Sequence, residues 1–279
     1  MTGPSFYDQE PERPYTHLRI VAVEATAAAT PEVVGLARSD LRIDDRGAVV
    51  MAPRAIRFST AADEGSPVLQ ACTPVHLAQT VWGTGAPQVL VGHGAPVWDH
   101  LPPAITRALA RIDMARVARL VWPGAPGYGA AELVSWLGLE PAVQALPQGS
   151  TEAPARTVLE IAALLVTAAS LTRESLGTHS RTVADSLAGD LAGDPVLQMM
   201  VDISIVPAPP ADPVPSPTDS WADWRRLGGS DLAWIAADPA SSVFERRAAQ
   251  AELHRRAIRN ADPVTARTLI RRIGPLSRR

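Results

Sequence analysis

The sequence predicts an α/β protein in which a mixed β-sheet is flanked by helices and followed by a small helical C-terminal module. Two observations support this prediction. Residues 18–58 contain several short apolar runs typical of strands, whereas residues 75–170 show mostly helical periodicity around one further strand-like run. Residues 207–217 are then rich in proline, which continues neither a helix nor a central strand, so the chain beyond them is predicted to be a separate unit.

The predicted strands precede most of the predicted helices. Apolar runs predict strands at residues 18–23, 33–41, 48–51, 56–58 and 88–91. The segment at 45–47, Asp-Arg-Gly, is typical of a hairpin turn between the second and third of these strands. Helical patterns predict helices at residues 75–80, 103–111, 113–120, 130–137 and 155–170, with a less regular pattern over 171–206.

These patterns divide the chain into four segments. Residues 1–16 are predicted to be a flexible tail, and residues 17–206 a domain that includes a helical extension. Residues 207–220 are predicted to be a proline-rich linker, and residues 221–279 a helical C-terminal module that contains many arginines.

The composition restricts the classes of function. The chain has 279 residues and a formal net charge of −3, so nucleic-acid binding would need a local basic patch. All 26 basic residues are arginine, and the single cysteine, Cys72, excludes an intrachain disulfide. The sequence shows no signal-peptide pattern and no uncharged apolar run of ~18 residues, which predicts a cytoplasmic protein that does not enter a membrane.

Five short motifs follow one another along the chain. Residues 18–26 form a strand-like run that ends in Glu-Ala-Thr, and residues 91–95 read Val-Gly-His-Gly-Ala. Residues 112–124 form a helical pattern ending in Trp-Pro-Gly, residues 128–139 are rich in leucine, and residues 224–239 contain Leu-Gly-Gly. In order and spacing these motifs resemble the DnaQ-type 3′–5′ exonuclease family, nearest to exonuclease X. The resemblance implies a ribonuclease H-like fold.

The catalytic positions of that family are only partly matched. The resemblance implies two Mg²⁺ ions about 4 Å apart, held by four carboxylates. The corresponding positions here are Glu24, Thr26, Trp98 and Thr157, with Asp99 replacing Trp98 if one residue is inserted. Only Glu24 and Asp99 could serve as metal ligands, so we expect no tight metal site and no bound cofactor.

Two further acidic residues lie on the predicted helix that carries Thr157 or just before it. Glu152 occupies the position of the family's catalytic histidine, and Glu160 is three residues after Thr157, at a different angle on the helix. A competing candidate for the fourth motif is His179 with Asp185, whose spacing is one residue longer than in the family. The helix predicted at 155–170 matches the family better.

Two functions follow from the resemblance. The first is a catalytically inactive, exonuclease-like protein that acts as a nucleic-acid- or protein-binding module. The alternative is a diverged but active 3′–5′ exonuclease that uses Glu24, Asp99, Asp185 and one further acidic residue, which the sequence does not locate, with Mg²⁺ or Mn²⁺. Arginines beside tryptophans in the C-terminal module could bind phosphates and bases or anchor a protein partner. Alternatively, these arginines form a solvated helix face balanced by Glu245, Glu252 and Asp262. The candidate contact residues are Trp224, Trp234, Arg246, Arg247, Arg255 and Arg256.

Overall fold

A six-stranded mixed β-sheet forms the centre of the protein in the computed structural model. The structure describes residues 16–27, 32–44, 47–58, 73–82, 87, 89–103, 109–176, 195–205 and 224–260. Several predictions concern residues outside these ranges: the flexible tail up to residue 15, the proline-rich linker, and the pair His179 and Asp185.

The sheet combines antiparallel and parallel pairing. Its strands are β1 (Thr16–Ala25), β2 (Val33–Asp44), β3 (Gly47–Val50), β4 (Arg54–Arg57), β5 (Val89–Gly92) and β6 (Ala110–Asp113). The order is β3-β2-β1-β5-β6, and β4 also pairs with β2. The strand β2 is antiparallel to β1, β3 and β4, whereas β5 is parallel to both β1 and β6. The predicted inner strands at 18–23 and 88–91 are therefore confirmed as β1 and β5.

The strands β3 and β4 pair with different halves of β2. Val50 is opposite Leu41, and Arg54 is opposite Arg38. The strands β3 and β4 therefore lie along the same side of β2, like one strand interrupted at residues 51–53. The strand β5 is apolar except for its final glycine and is buried throughout, as expected for a parallel strand covered on both faces.

Nine helices of six residues or more lie within the described residues, and the last two form the C-terminal module. They are α1 (Pro74–Trp82), α2 (Ala95–His100), α3 (Met114–Val121), α4 (Ala130–Leu137), α5 (Glu140–Ala145), α6 (Ala153–Leu176), α7 (Pro195–Ile205), α8 (Gly229–Ala237) and α9 (Val243–Asn260). The predicted arrangement of a mixed sheet flanked by helices is confirmed. None of the described helices is both long enough and apolar enough to cross a membrane.

Alternation along the strands produces two hydrophobic cores, one on each face of the sheet. Leu18 and Ile20 of β1 point to the face covered by α6, where Leu164 is also fully buried. Val21 of β1 points to the opposite face, where it packs with Val81 of α1 and other residues of α1 and α2. This alternation fixes the register of β1, because a shift by one residue would exchange the two faces.

The buried side chain of Arg19 attaches α1 to the sheet. Arg19 is fully buried, and its Nε and Nη2 donate to the two carboxylate oxygens of Asp40 at 2.6 and 3.0 Å. Its Nη1 donates to the backbone carbonyls of Val81, at 2.8 Å, and Trp82 at the end of α1. Burial acts to raise the pKa of Asp40, but the hydrogen bonds and charge of Arg19 outweigh burial and lower that pKa.

The prediction of a helix over 103–111 is wrong at its C-terminal end. Residues Ala110–Asp113 form β6, which pairs with β5. Four residues are too few for a strand to show alternation in the sequence, and the pairing with β5 determines their conformation. The following helix begins one residue later than predicted, because Asp113 caps it by accepting from the backbone N–H of Ala115.

The C-terminal module contacts the main domain through α3 and α4. Trp224 lies against Gly124, in the turn that follows α3. Arg259 of α9 donates to the carbonyls of Ser135 and Trp136 at the end of α4, at 2.8 and 3.2 Å. Ala251 of α9 belongs to the same hydrophobic core as the α6 face of the sheet. The module is therefore packed on the domain.

Candidate functional site

A cleft of about 320 Å³ opens at the carboxyl ends of β1 and β5. In open α/β sheets this edge is where ligands bind, because the loops that follow parallel strands converge there. Its apolar lining comes from strand, turn and helix residues: Ala22, Val23, Val97, Ala130, Ala131 and Ile161. Its polar lining consists of His93, Glu132, Thr157, Glu160 and the backbone of Gly129.

His93 follows β5 directly and lies in the cleft as a neutral acceptor. Its Nε2 is 2.7 Å from the carbonyl oxygen of Tyr128, which can only accept, so Nε2 carries the proton. Its Nδ1 is buried and has no hydrogen-bond partner among the described residues. Burial lowers the pKa of His93, which keeps the imidazole neutral at pH 7. A ligand that donates a hydrogen bond would satisfy Nδ1.

Glu160 is the deepest carboxylate of the cleft. It lies on α6, is 4% exposed, and pairs with Arg156 one turn earlier at 3.0 Å. Thr157, on the same helix, directs its hydroxyl to the carbonyl of Ala153 at 3.4 Å. Glu132 lies in the first turn of α4 and accepts from the backbone N–H of Gly129 at 3.0 Å. The described lining thus contains two carboxylates and no arginine. Arg156 offsets the charge of Glu160, so Glu132 is the carboxylate of the lining that has no ion pair among the described residues.

Asp113 fixes the backbone behind the cleft. One carboxylate oxygen accepts from the N–H groups of Gly94 and Ala115, at 2.9 and 3.0 Å. The backbone N–H of Asp113 in turn donates to Ser204 of α7 at 2.7 Å. This buried aspartate therefore joins the turns that follow β5 and β6 and has its own structural partners.

Glu24 lies at the end of β1, opposite Gly35 of β2. A Cβ atom on Gly35 would lie 3.0 Å from Glu24 Oε2 and 3.3 Å from Pro154, so the carboxylate occupies the space above that glycine. Glu24 Oε2 is buried and has no hydrogen-bond partner among the described residues. The sequence placed Glu24 correctly at the end of the first strand.

The other predicted ligand positions do not supply carboxylates to the same place. Thr26 accepts from the N–H of Glu32 at 2.9 Å and closes the turn between β1 and β2. Trp98 lies over Gly92, where a Cβ atom would come within 2.9 Å of its ring. Asp99 is exposed on α2. Thus Asp99, the second predicted metal ligand, points to solvent.

This donor set does not fit the two Mg²⁺ ions that the resemblance implies. The described residues contain no group of three or more His, Cys, Asp or Glu side chains able to hold a metal. Thr157 and an indole occupy two of the ligand positions, and Glu152 is paired with Arg57 at 3.3 Å. Two divalent ions need several carboxylates to offset their mutual repulsion.

The predicted contact residues of the C-terminal module have different environments. Trp234 is 67% exposed, whereas Trp224 is partly buried against the main domain. Arg255 is buried and forms two hydrogen bonds of 2.6 Å with Glu252. Arg256 also binds Glu252, at 2.8 Å, and donates to the carbonyl of Leu227 at 2.9 Å.

Two of the six predicted contact residues therefore do not present their charge to a partner. Arg255 is buried, and the guanidinium of Arg256 is held inside the module. Arg246 makes one long contact, 3.4 Å, with the carbonyl of Pro239, and Arg247 is exposed. The exposed part of the predicted surface consists of Trp234 and Arg247.

Sequence reasoning missed the roles of Glu132 and the neutral His93 in the cleft and of Asp113 behind it. A signal existed for Glu132, because a glutamate three residues after Gly129 is typical of a helix start.

A search against models of known protein families finds no match, and a search of curated proteins finds no match either.

Proposed function

We propose that this protein is a non-hydrolytic relative of the DnaQ-type 3′–5′ exonucleases whose cleft binds a segment of another protein. The mixed sheet, with antiparallel strands followed by two parallel ones, is compatible with the ribonuclease H-like fold of that family. The observation that carries the proposal is the replacement of the carboxylates at the sheet edge. Glu24 lies over Gly35, and the positions of Thr26, Trp98 and Thr157 hold no acid.

The lining of the cleft favours a peptide over a nucleic acid. A phosphate backbone needs cations, but Glu132 and Glu160 are the charged residues of the described lining. The remaining surface is largely apolar, and the Nδ1 atom of His93 accepts a hydrogen bond. A segment with an apolar side chain beside an arginine or lysine matches all three properties.

The alternative, an active exonuclease, requires at least three converging carboxylates. It would use Glu24 and Asp99, but Asp99 is exposed on α2, and Asp185 lies outside the described residues. No observation on the described residues favours this alternative. A cytoplasmic location stays a prediction from the sequence.

The absence of hydrolysis is tested with end-labelled single- and double-stranded DNA and RNA, in Mg²⁺ and in Mn²⁺. We expect no shortening of any substrate by the wild-type chain. Because contaminating nucleases are common, Glu24→Gln purified in the same way is the control. Degradation by the wild type that Glu24→Gln abolishes would show that the site is catalytic.

Peptide binding is tested by selecting from a random peptide display library on the full chain. We expect enriched peptides with a basic residue next to an apolar one. Ala131 lines the cleft from the exposed side of α4, so Ala131→Trp should block these peptides. Ala145→Trp, on the exposed side of α5 and away from the lining, should retain them. No enrichment, or equal binding by both variants, would contradict the proposal.

A further inference from the structure

A second cavity, of about 620 Å³, lies on the face of the sheet that α1 covers. Arg38 of β2 and Arg54 of β4 contribute to its floor, and Gln79 and Thr80 of α1 form one wall. Ser150 lies at the sheet edge, where its backbone N–H donates to the carbonyl of Pro53 at 3.3 Å. We call this cavity the Arg38–Arg54 pocket. It shares no lining residue with the cleft at the ends of β1 and β5.

The two arginines of the pocket are held opposite each other by the sheet. Arg38 and Arg54 are partners in the antiparallel register of β2 and β4, so their side chains leave the same face of the sheet. Like charges directly opposite one another on neighbouring strands destabilise a sheet. The register itself therefore concentrates positive charge at this pocket.

Neither arginine forms an ion pair with a carboxylate among the described residues. Arg38 Nη1 is buried and has no hydrogen-bond partner there. The nearest acid along β2, Asp40, is already bound to Arg19 through both carboxylate oxygens. Burial lowers the pKa of Arg38, and the charges of Arg19 and Arg54 lower it further, against the opposing effect of Asp40. A buried, unsatisfied guanidinium donor is costly unless a ligand accepts from it.

We propose that the Arg38–Arg54 pocket binds the phosphate group of a nucleotide-sized molecule. Two guanidinium groups supply charge and paired donors that match a phosphate dianion better than a single carboxylate. The side chains of Thr80 and Ser150 add hydroxyl donors to the lining. Ile56, which is 44% exposed, provides an apolar wall for the rest of the ligand. The cavity has the volume of a typical small-molecule site, which ranges over about 300–1,000 Å³.

This inference goes beyond the proposed peptide cleft and does not depend on it. It also predicts an unusual response to mutation. Replacing one of two opposed arginines removes repulsion in the ligand-free protein, so Arg38→Gln should melt at the same temperature as the wild type or higher. The same change removes the buried donor and should abolish the response to phosphate.

The experiment measures the melting temperature of the full chain against increasing inorganic pyrophosphate, with potassium chloride at matched ionic strength as reference. We expect a saturable rise for the wild type that is absent in the chloride series. Arg38→Gln and Arg54→Gln should weaken pyrophosphate binding at least tenfold. Arg247→Gln removes an exposed arginine of α9 outside the pocket and should respond like the wild type.

Three results would overturn the proposal: no rise at millimolar pyrophosphate, a rise that chloride reproduces, or equal rises in wild type and both pocket variants. Because Arg54 is exposed on a short edge strand, Arg54→Gln keeps the test decisive if Arg38→Gln fails to fold. Two competitors then identify the source of the phosphate. Displacement of pyrophosphate by a nucleoside diphosphate supports a small ligand, and displacement only by a 5′-phosphorylated oligonucleotide assigns the same site to the end of a nucleic acid.

Discussion

The arginines of the C-terminal module and those of the β2–β4 edge have opposite environments. Arg255 and Arg256 are close together in the sequence, yet both bind Glu252, which is 1% exposed. Arg38 and Arg54 are separated by the β3 hairpin, yet the sheet register places them opposite each other without a carboxylate partner in the described chain. A cluster of charges along the sequence does not reveal whether those charges are available to a ligand.

The difference arises from the local geometry of helices and sheets. On a helix, an acid and a base three or four residues apart lie on the same side, so α9 neutralises its own arginines through Glu252. Across an antiparallel pair, the opposing residue is determined by the turn and by core packing, so two arginines can be held together. The helical arginines stabilise the module, and the sheet arginines are available to bind.

The largest predicted effect follows from removing Glu252. Glu252→Ala leaves Arg255 buried without its partner and frees Arg256, so we expect a loss of about 3–5 kcal/mol in the free energy of unfolding, as for other broken buried pairs. Gln250→Ala, at an exposed position of the same helix, is the matched control and should change stability by no more than about 0.5 kcal/mol. Urea unfolding of both variants measures the difference. Equal free energies of unfolding for the two variants would mean that the pairing of Glu252 with Arg255 and Arg256 does not stabilise the protein.

A smaller effect is expected where α9 contacts the main domain. Arg259→Ala removes two hydrogen bonds to the carbonyls of Ser135 and Trp136. Since Arg259 is exposed, we expect a loss of no more than about 1.5 kcal/mol, near the lower limit for bonds from a charged donor. Limited proteolysis should then cleave the chain between the domain and the module faster than in the wild type. Unchanged cleavage would show that the other contacts of the module hold it in place.

The smallest predicted effect is a change in the pH dependence of stability. Burial acts to raise the pKa of Glu252, but the hydrogen bonds from Arg255 and Arg256 outweigh burial and lower that pKa. A lowered folded-state pKa stabilises the protein above the unfolded value, about 4.3, and this contribution is lost as the pH falls through the folded-state pKa. The melting temperature of the wild type should therefore fall more steeply below about pH 4.3 than that of Glu252→Gln. Parallel curves of melting temperature against pH for the two proteins would contradict the assignment of this pH dependence to Glu252.

Much of the fold could be predicted because apolar runs bounded by turn residues mark its inner strands. The strands around 18–23 and 88–91 and the helix containing Ile161 follow from patterning alone. The strand β6 could not be predicted, because it is as short as β5 but carries Arg111 and Asp113 instead of a continuous apolar run, and its pairing with β5 determines its conformation. The position of Glu24 near the carboxyl end of β1 was predictable, because the apolar run of that strand ends just before it.

The rest of the candidate sites depends on tertiary contacts. The tautomer of His93 depends on the carbonyl of Tyr128, which lies 35 residues further along the chain, and burial in the folded protein lowers the pKa of His93. The opposition of Arg38 and Arg54 requires the register of β2 and β4. By contrast, the pairing of Glu252 with Arg255 and Arg256 could have been predicted from their spacing, and it argues against a contact role for those two arginines.

We propose that the edge of the sheet near Glu24 does not form a two-metal site. Titration of the full chain with Mn²⁺, followed by electron paramagnetic resonance, measures this directly, because free and bound Mn²⁺ give different signals. We predict no saturable binding below millimolar Mn²⁺, and identical curves for the wild type and Glu24→Gln. One or two sites per chain that saturate at micromolar Mn²⁺ and disappear in Glu24→Gln would contradict the claim.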